Sequence, residues 1–186
     1  IKIPWAKPDI GNEELLEIKK SFKSNWLTQG PKVKMFEKKL AKYFGAKYAV
    51  AVSNGTAALD IAHKAIGIKQ GDEIIMPAIS YFSTASMISY QKAIPVFVDI
   101  KEDDINIDAS KIEKAITKKT KAISFIDYGG NPADFPEIKK IAKKYSLKII
   151  QDGAQSIGGK RFKKPIGALG DISTTSFHMA KILSTV

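Results

Sequence analysis

The sequence predicts an α/β fold, a mostly parallel sheet flanked by helices on both faces. Three observations carry that expectation. Short apolar, β-branched runs recur along the chain, stripes of apolar residues at helical spacing lie between them, and Gly, Pro and Asn punctuate the joins. No repeat, low-complexity tract or linker interrupts this alternation, so the 186 residues read as one domain with a sizeable core.

Residues 1–11 carry two prolines and read as an extended arm. Leu15, Ile18 and Phe22 put an apolar face on a helix over 12–24, and Gly30-Pro31 breaks the following loop. Val33, Phe36, Leu40 and Phe44 mark a second helix, closed by Gly45. Residues 48–52 read as a short buried strand entering Ser53-Asn54-Gly55-Thr56; a helix over 57–66 follows, with Thr56 able to cap it and Gly67 stopping it. A strand over 73–76 leads through Pro77 and Tyr81 into a helix ending near Tyr90. Then come a strand over 95–100 and a helix over 108–116 with Ser110 and Glu113 at capping-box spacing. A strand over 122–126 and a helix over 136–145, with Ile138, Ile141 and Tyr145 inward, complete this stretch. The run Leu147–Ile150 ends in Gln151-Asp152, and residues 171–177 form a last strand that runs into His178-Met179-Ala180-Lys181.

The formal net charge of +11 invites a nucleic-acid reading. The lysines, however, are dispersed along helices and Arg161 is the sole arginine, so the forked donors that read phosphate and guanine are missing. A lysine-coated surface that attracts anionic substrates is the expectation, with no nucleic-acid or membrane partner. No run is long enough to span a membrane and no signal peptide opens the chain. The absence of cysteine excludes disulfides, thiolate metal sites and cysteine nucleophiles, and it fits a reducing cytoplasmic setting. The acidic stretch 99–104 lacks calcium-loop spacing and reads as a solvated turn, so no metal is expected. His63, inside a helix, reads as no ligand.

The chemistry gathers at three places. Asp152 is a carboxylate where a buried strand leaves its sheet, the edge at which open α/β sheets bind ligands. Lys181 is flanked by Ala180, Ile182 and Leu183, and desolvation there favours a neutral amine able to attack an aldehyde carbon. Ser53-Asn54-Gly55-Thr56 is a small-residue turn at a helix N-terminus, a natural anion seat because unpaired first-turn amides and the helix dipole both favour negative charge. A lysine for a Schiff base, a carboxylate for a pyridine nitrogen and a phosphate cup are what pyridoxal phosphate (PLP) requires of a protein.

DGAQSIGG, SFHMAK after a Gly-Asp turn, and SNGTAAL far upstream occur in an order and spacing that resemble the DegT/StrS-type sugar-nucleotide aminotransferases, across essentially the whole chain. These are fold-type-I PLP enzymes, so the resemblance implies an aspartate-aminotransferase-like large domain. It implies Lys181 as the Schiff-base and proton-transfer lysine, and Asp152 on the pyridine nitrogen. Gln155 would meet the ring's phenolic oxygen, and Tyr81 would lie on the ring face. Gly55, Thr56 and Ser176 would hold the phosphate. Thr28 falls in a loop that borders the family's substrate pocket; as a residue of a helix-joining turn, with Trp26 filling core, it needs no such role. His178 fits the SFH pattern and reads as structural. Asn131 departs from the Gln or His usual before Pro in the family.

The resemblance further implies a cytoplasmic homodimer that moves an amino group from glutamate to a keto-sugar nucleotide, in amino-sugar or surface-polysaccharide biosynthesis. Lysine rather than histidine at 181 favours transamination over the family's dehydratases, and the lysine-bearing dehydratases use cysteine-bound iron–sulfur clusters. A PLP-dependent sugar dehydratase and a non-catalytic binding module are the alternatives. Family members run on for about as much chain again, so residues 1–186 are expected to be an incomplete large domain, with its arm and first helix over about 1–24. The small C-terminal domain is expected to be absent, and residues 1–186 alone nearly inactive.

Overall fold

Five parallel strands form the centre of the molecule in the order β2-β1-β3-β4-β7. They are β1 (Glu73–Pro77), β2 (Ile94–Val98), β3 (Thr120–Ile126), β4 (Lys148–Asp152) and β7 (Ile172–Thr174). A two-stranded antiparallel ribbon, β5 (Lys160–Arg161) with β6 (Lys164–Pro165), stands apart and was not foreseen. The computed structural model describes Lys2, residues 7–161 and residues 163–185, with Lys164 by its backbone alone. Residues 1 and 3–6 of the expected arm lie outside the described residues.

The parallel sheet is covered on both sides, which is why its central strands are continuously apolar rather than alternating. In β3 every residue but Lys121 is buried. Successive side chains still point to opposite faces. Ile75, Ile123, Phe125 and Ile149 pack with α5 (Ala109–Ile112) and α6 (Phe135–Lys144), while Ile74, Met76 and Ala122 join Ile88 of α4 (Ser83–Tyr90) on the other face. Because the strands are parallel, Pro77, Ile126, Asp152 and Thr174 all reach the same edge of the sheet. The N-terminus of α3 (Gly55–Ala65) abuts that edge, with the backbone of Thr175 and the side chain of Ser176 beside Gly55.

Several expectations need correction. Residues 48–52 form no strand and join no ladder among the described residues, and Tyr48 and Val50 are 75% and 78% exposed. Their apolar character announced a strand, but burial needs a neighbour; here the Ala51 N–H is satisfied by Glu37 Oε1 instead. The last strand is three residues long, not seven, and β2 stops at Val98. Asp108 caps α5, its Oδ1 accepting from both the N–H and the hydroxyl of Ser110, so the helix starts before the expected capping box. Tyr145 is exposed while Ile138 and Ile141 are buried. The helices α1 (Asn12–Lys23) and α2 (Pro31–Phe44) form where their stripes place them, α2 closing at Gly45, yet neither buries a single residue. Among the described residues no helix is long and apolar enough to cross a membrane.

Candidate active site

Asp152 ends β4 in register with Thr174 of β7, and it is 3% exposed. Its Oδ1 accepts the Ala154 N–H at 3.0 Å. Burial pushes its proton affinity above the ordinary carboxylate range; the Ala154 N–H and the charge of Lys181 pull it back, and the charge of Asp127 raises it again. A carboxylate in that position is short of positive charge. The next residue has to be glycine, since a Cβ on Gly153 would meet the Thr174 carbonyl oxygen at 2.8 Å and the Gly167 carbonyl oxygen at 2.9 Å.

Beyond Thr174 the chain reaches Ser176 beside the start of α3. A Cβ on Gly55 would lie 3.2 Å from Ser176 Cβ and 3.5 Å from its Oγ, so Ser176 can approach the helix N-terminus this closely because residue 55 has no side chain. The capping residue is Asn54 rather than Thr56, its Oδ1 accepting the Ala57 N–H at 2.8 Å. Ser53 through Thr56 offers several capping side chains, and the helix begins at Gly55, two residues earlier than expected. Thr56 is half-buried and does not serve as the cap.

Lys181 sits on a loop closed at its base by the Thr185 N–H donating to the Phe177 carbonyl at 3.1 Å. Phe177 packs edge-on against Phe36 of α2, with ring centroids 5.1 Å apart. His178 braces the turn: its Nδ1 accepts the Ala180 N–H at 3.2 Å, and its carbonyl accepts the Lys181 N–H at 2.8 Å. That is the structural role expected of it. The apolar company expected around Lys181 is not packed there, because Ile182 and Leu183 point outward at 69% and 54% exposure. Adjacency in sequence does not enclose a side chain; enclosure needs a facing surface.

Gln155 lies in the turn after β4, where its Oε1 accepts the Gly129 N–H at 2.5 Å. Its amide is thereby oriented so that Nε2, a donor, is the group left for an anionic oxygen. Tyr81 follows β1 and is exposed beside Phe82, with ring centroids 5.2 Å apart. The structure therefore brings Gly55 against Ser176, and the charge of Lys181 bears on Asp152, while Tyr81 is exposed. Thr28 is apart: it is exposed in the α1–α2 loop, and Trp26 beside it, expected in the core, is also exposed. Among the described residues no group of acidic residues and histidines is arranged to hold a metal.

The sequence profile of the DegT/DnrJ/EryC1/StrS aminotransferase family matches residues 8–186. The chain belongs to that family. It is 42% identical over 183 residues to the spore coat polysaccharide biosynthesis protein SpsC of Bacillus subtilis, covering 98% of this chain and 47% of the relative. A sugar aminotransferase from Streptococcus pneumoniae in its PLP form superposes with a TM-score of 0.94 at 31% identity, covering 99% of this chain and 51% of that one. The E. coli GDP-4-keto-6-deoxy-D-mannose-3-dehydratase with bound hydrated PLP superposes with a TM-score of 0.93 at 33% identity, covering 99% and 49%. The chain thus spans about half the length of these relatives. The parallel-sheet fold expected of a DegT/StrS-type protein is the fold found.

Asp127, Gln151 and Gly129 were missed by sequence reasoning. The signal was present in one case: Ile126-Asp127 is an apolar strand ending in a carboxylate, the same pattern that singled out Asp152.

Proposed function

We propose that residues 1–186 are the cofactor-binding large domain of a PLP-dependent aminotransferase acting on a keto-sugar nucleotide with an amino acid, glutamate by expectation, as donor. The carrying observation is a buried carboxylate at a strand tip, raised in proton affinity, with the charge of Lys181 bearing on it and a helix N-terminus at Gly55, packed against Ser176, on the same sheet edge. This donor set fits the cofactor group by group. Asp152 supplies an anion for a protonated ring nitrogen, and Gln155 Nε2 supplies a donor for a ring oxygen. The helix N-terminus at Gly55, with the hydroxyls of Thr56 and Ser176, receives a phosphate against the first-turn amides of α3. Tyr81 offers an aromatic face at the rim.

When bound, PLP supplies an aldehyde carbon for amines and a ring that accepts electrons. Asp152 holds the positive charge that keeps such a ring electron-poor. Lys181 Nζ is the amine that anchors the cofactor and afterwards takes and returns a proton. Its loop, tethered through Phe177 on Phe36 and braced by His178, sets where that nitrogen sits. Thr28 is proposed only as a rim contact to the sugar nucleotide. A homodimer in the cytoplasm completes the reading, supported by the open outer side of the site and by a cysteine-free sequence suited to a reducing compartment.

The test uses the full-length protein. The wild type is expected to show a visible absorption band with PLP and to aminate a keto-sugar nucleotide at the expense of glutamate; Lys181→Ala is expected to lose the band and at least about 10³-fold in rate. A wild type without the band would overturn the assignment. Release of a deoxygenated sugar without net amination would move the protein to the dehydratase branch, which the E. coli likeness keeps in view.

A further inference from the structure

Resting on that cofactor reading, we propose that Asp127 is a positioning residue of the same site, a second buried carboxylate that fixes the turn carrying Asp152 and Gln155 and sets the field in which Asp152 works. Asp127 lies one residue beyond β3 and is 1% exposed. Its Oδ1 accepts the Ala133 N–H at 3.0 Å; its Oδ2 accepts Gln151 Nε2 at 2.6 Å and the Ser156 hydroxyl at 3.0 Å. Gln151 and Ser156 bracket the stretch 152–155. Two residues past Asp127, the Gly129 N–H holds Gln155 itself. The exits of β3 and β4 are therefore joined at Gln151, Gln155 and Ser156, and two of those three joints run through one carboxylate.

The network fixes the form of Asp127. Gln151 Oε1 already accepts from the Leu169 N–H at 2.6 Å and the Ser173 hydroxyl at 3.3 Å, so its amide must present Nε2 to Asp127. Three donors converge on two oxygens, which suits an ionised carboxylate; a protonated acid would turn a hydroxyl towards donors. Burial pushes the proton affinity of Asp127 up, and the three donors with the charge of Arg161 hold it back. The charge of Asp127 in turn raises that of Asp152. The charged groups facing this pair are Arg161 from β5 and Lys181 from the C-terminal loop.

The test uses full-length protein as wild type, Asp127→Asn and Ser156→Ala. Two quantities are read: the dissociation constant for PLP added to apo-protein, and the pH midpoint of the visible band of bound PLP. Asp127→Asn removes a charge and turns an amide donor towards Gln151 Nε2 or Ser156. Binding is expected to weaken about 10-fold or more, and the midpoint to fall by about half a unit or more, because lost negative charge makes nearby protons easier to remove. Ser156→Ala keeps the charge and is expected to weaken binding about 3-fold with the midpoint unchanged. A folded Asp127→Asn with wild-type affinity and midpoint overturns the proposal. Should that variant fail to fold, Ser156→Ala decides, and wild-type affinity in it is the overturning result. A wild type that binds no PLP removes the cofactor reading and this inference together, whereas wild-type binding with indifferent variants removes this inference alone.

Discussion

The two sides of the candidate site are built differently. On the carboxylate side, Asp127, Gln151 and Asp152 are all at most 3% exposed and each is hydrogen-bonded to its surroundings. On the amine side, Tyr81, Ile182 and Leu183 are 58%, 69% and 54% exposed. The first side is held by the interior of the parallel sheet, where strand pairing and packing on both faces determine every position. The second rests on loops tethered at single points. The lesson is that preorganisation here comes from the sheet edge. Tyr81 and the apolar neighbours of Lys181 are left without a facing surface, and the chain spans about half the length of its relatives.

The strongest way to probe this contrast is Asp152→Asn in the full-length protein. Activity is expected to fall on the order of 10³-fold, the scale of losing a preorganised electrostatic partner. Apo-protein stability should move the other way. Burial raises the folded-state proton affinity of Asp152 above its unfolded value, so its favourable contribution is complete below the unfolded value and is lost as pH rises through the folded one. At neutral pH the ionised group is therefore a liability, and the amide should stabilise the apo form by about 1 kcal/mol in denaturant melts. A variant that loses both activity and stability would show that the carboxylate side is held by its charge rather than by the sheet.

A second comparison pits Ile123 against Ile182 in the 186-residue chain. Ile123 of β3 is fully buried in the α5–α6 layer, and truncation to Ala should cost about 3 kcal/mol, a transfer loss plus a cavity. Ile182→Ala should stay within about 0.5 kcal/mol. Equal losses in urea unfolding would break the contrast. Repeating the pair in the full-length protein sharpens it: a larger loss at Ile182 there would locate the surface that covers the amine side.

What the sequence made legible follows the same division. Periodicity is a local property, so most of the helices, the alternation of strand and helix and the strand-tip position of Asp152 could be read from neighbouring residues alone. Burial is not local. Tyr48 and Val50 look like core, yet they are exposed because no strand lies beside them among the described residues, and Ile182 and Leu183 look like an apolar wall but face outward. Asn54 rather than Thr56 caps α3 because several capping residues stand in a row and the helix start was placed from its apolar stripe. Asp127 escaped because its partners, Gln151 and Ser156, lie 24 and 29 residues away, in a turn that only folding brings close.

The smallest expected effect tests whether the buried side is dry right through to α3, whose N-terminus is proposed as the anion seat. His63 of α3 is fully buried and neither ring nitrogen has a hydrogen-bond partner among the described residues. Burial lowers its proton affinity, and the nearby Leu59 carbonyl and Asp60 charge only partly offset this. A depressed folded-state value means stability that is present above the unfolded value of 6.5 and is lost as pH falls through the folded one. Unfolding free energy should therefore decline below that pH with a slope of at most about 1.4 kcal/mol per pH unit for one proton. Asp127 and Asp152 contribute in the opposite sense, so the wild-type curve alone is a sum. Subtracting the curve of His63→Leu, which keeps the volume and removes the titration, isolates the histidine. A difference that grows as pH falls from 7 to about 5 supports a dry environment around His63 in α3. A flat difference would mean that water or a polar partner reaches His63, and that the buried side is less sealed than its core residues imply.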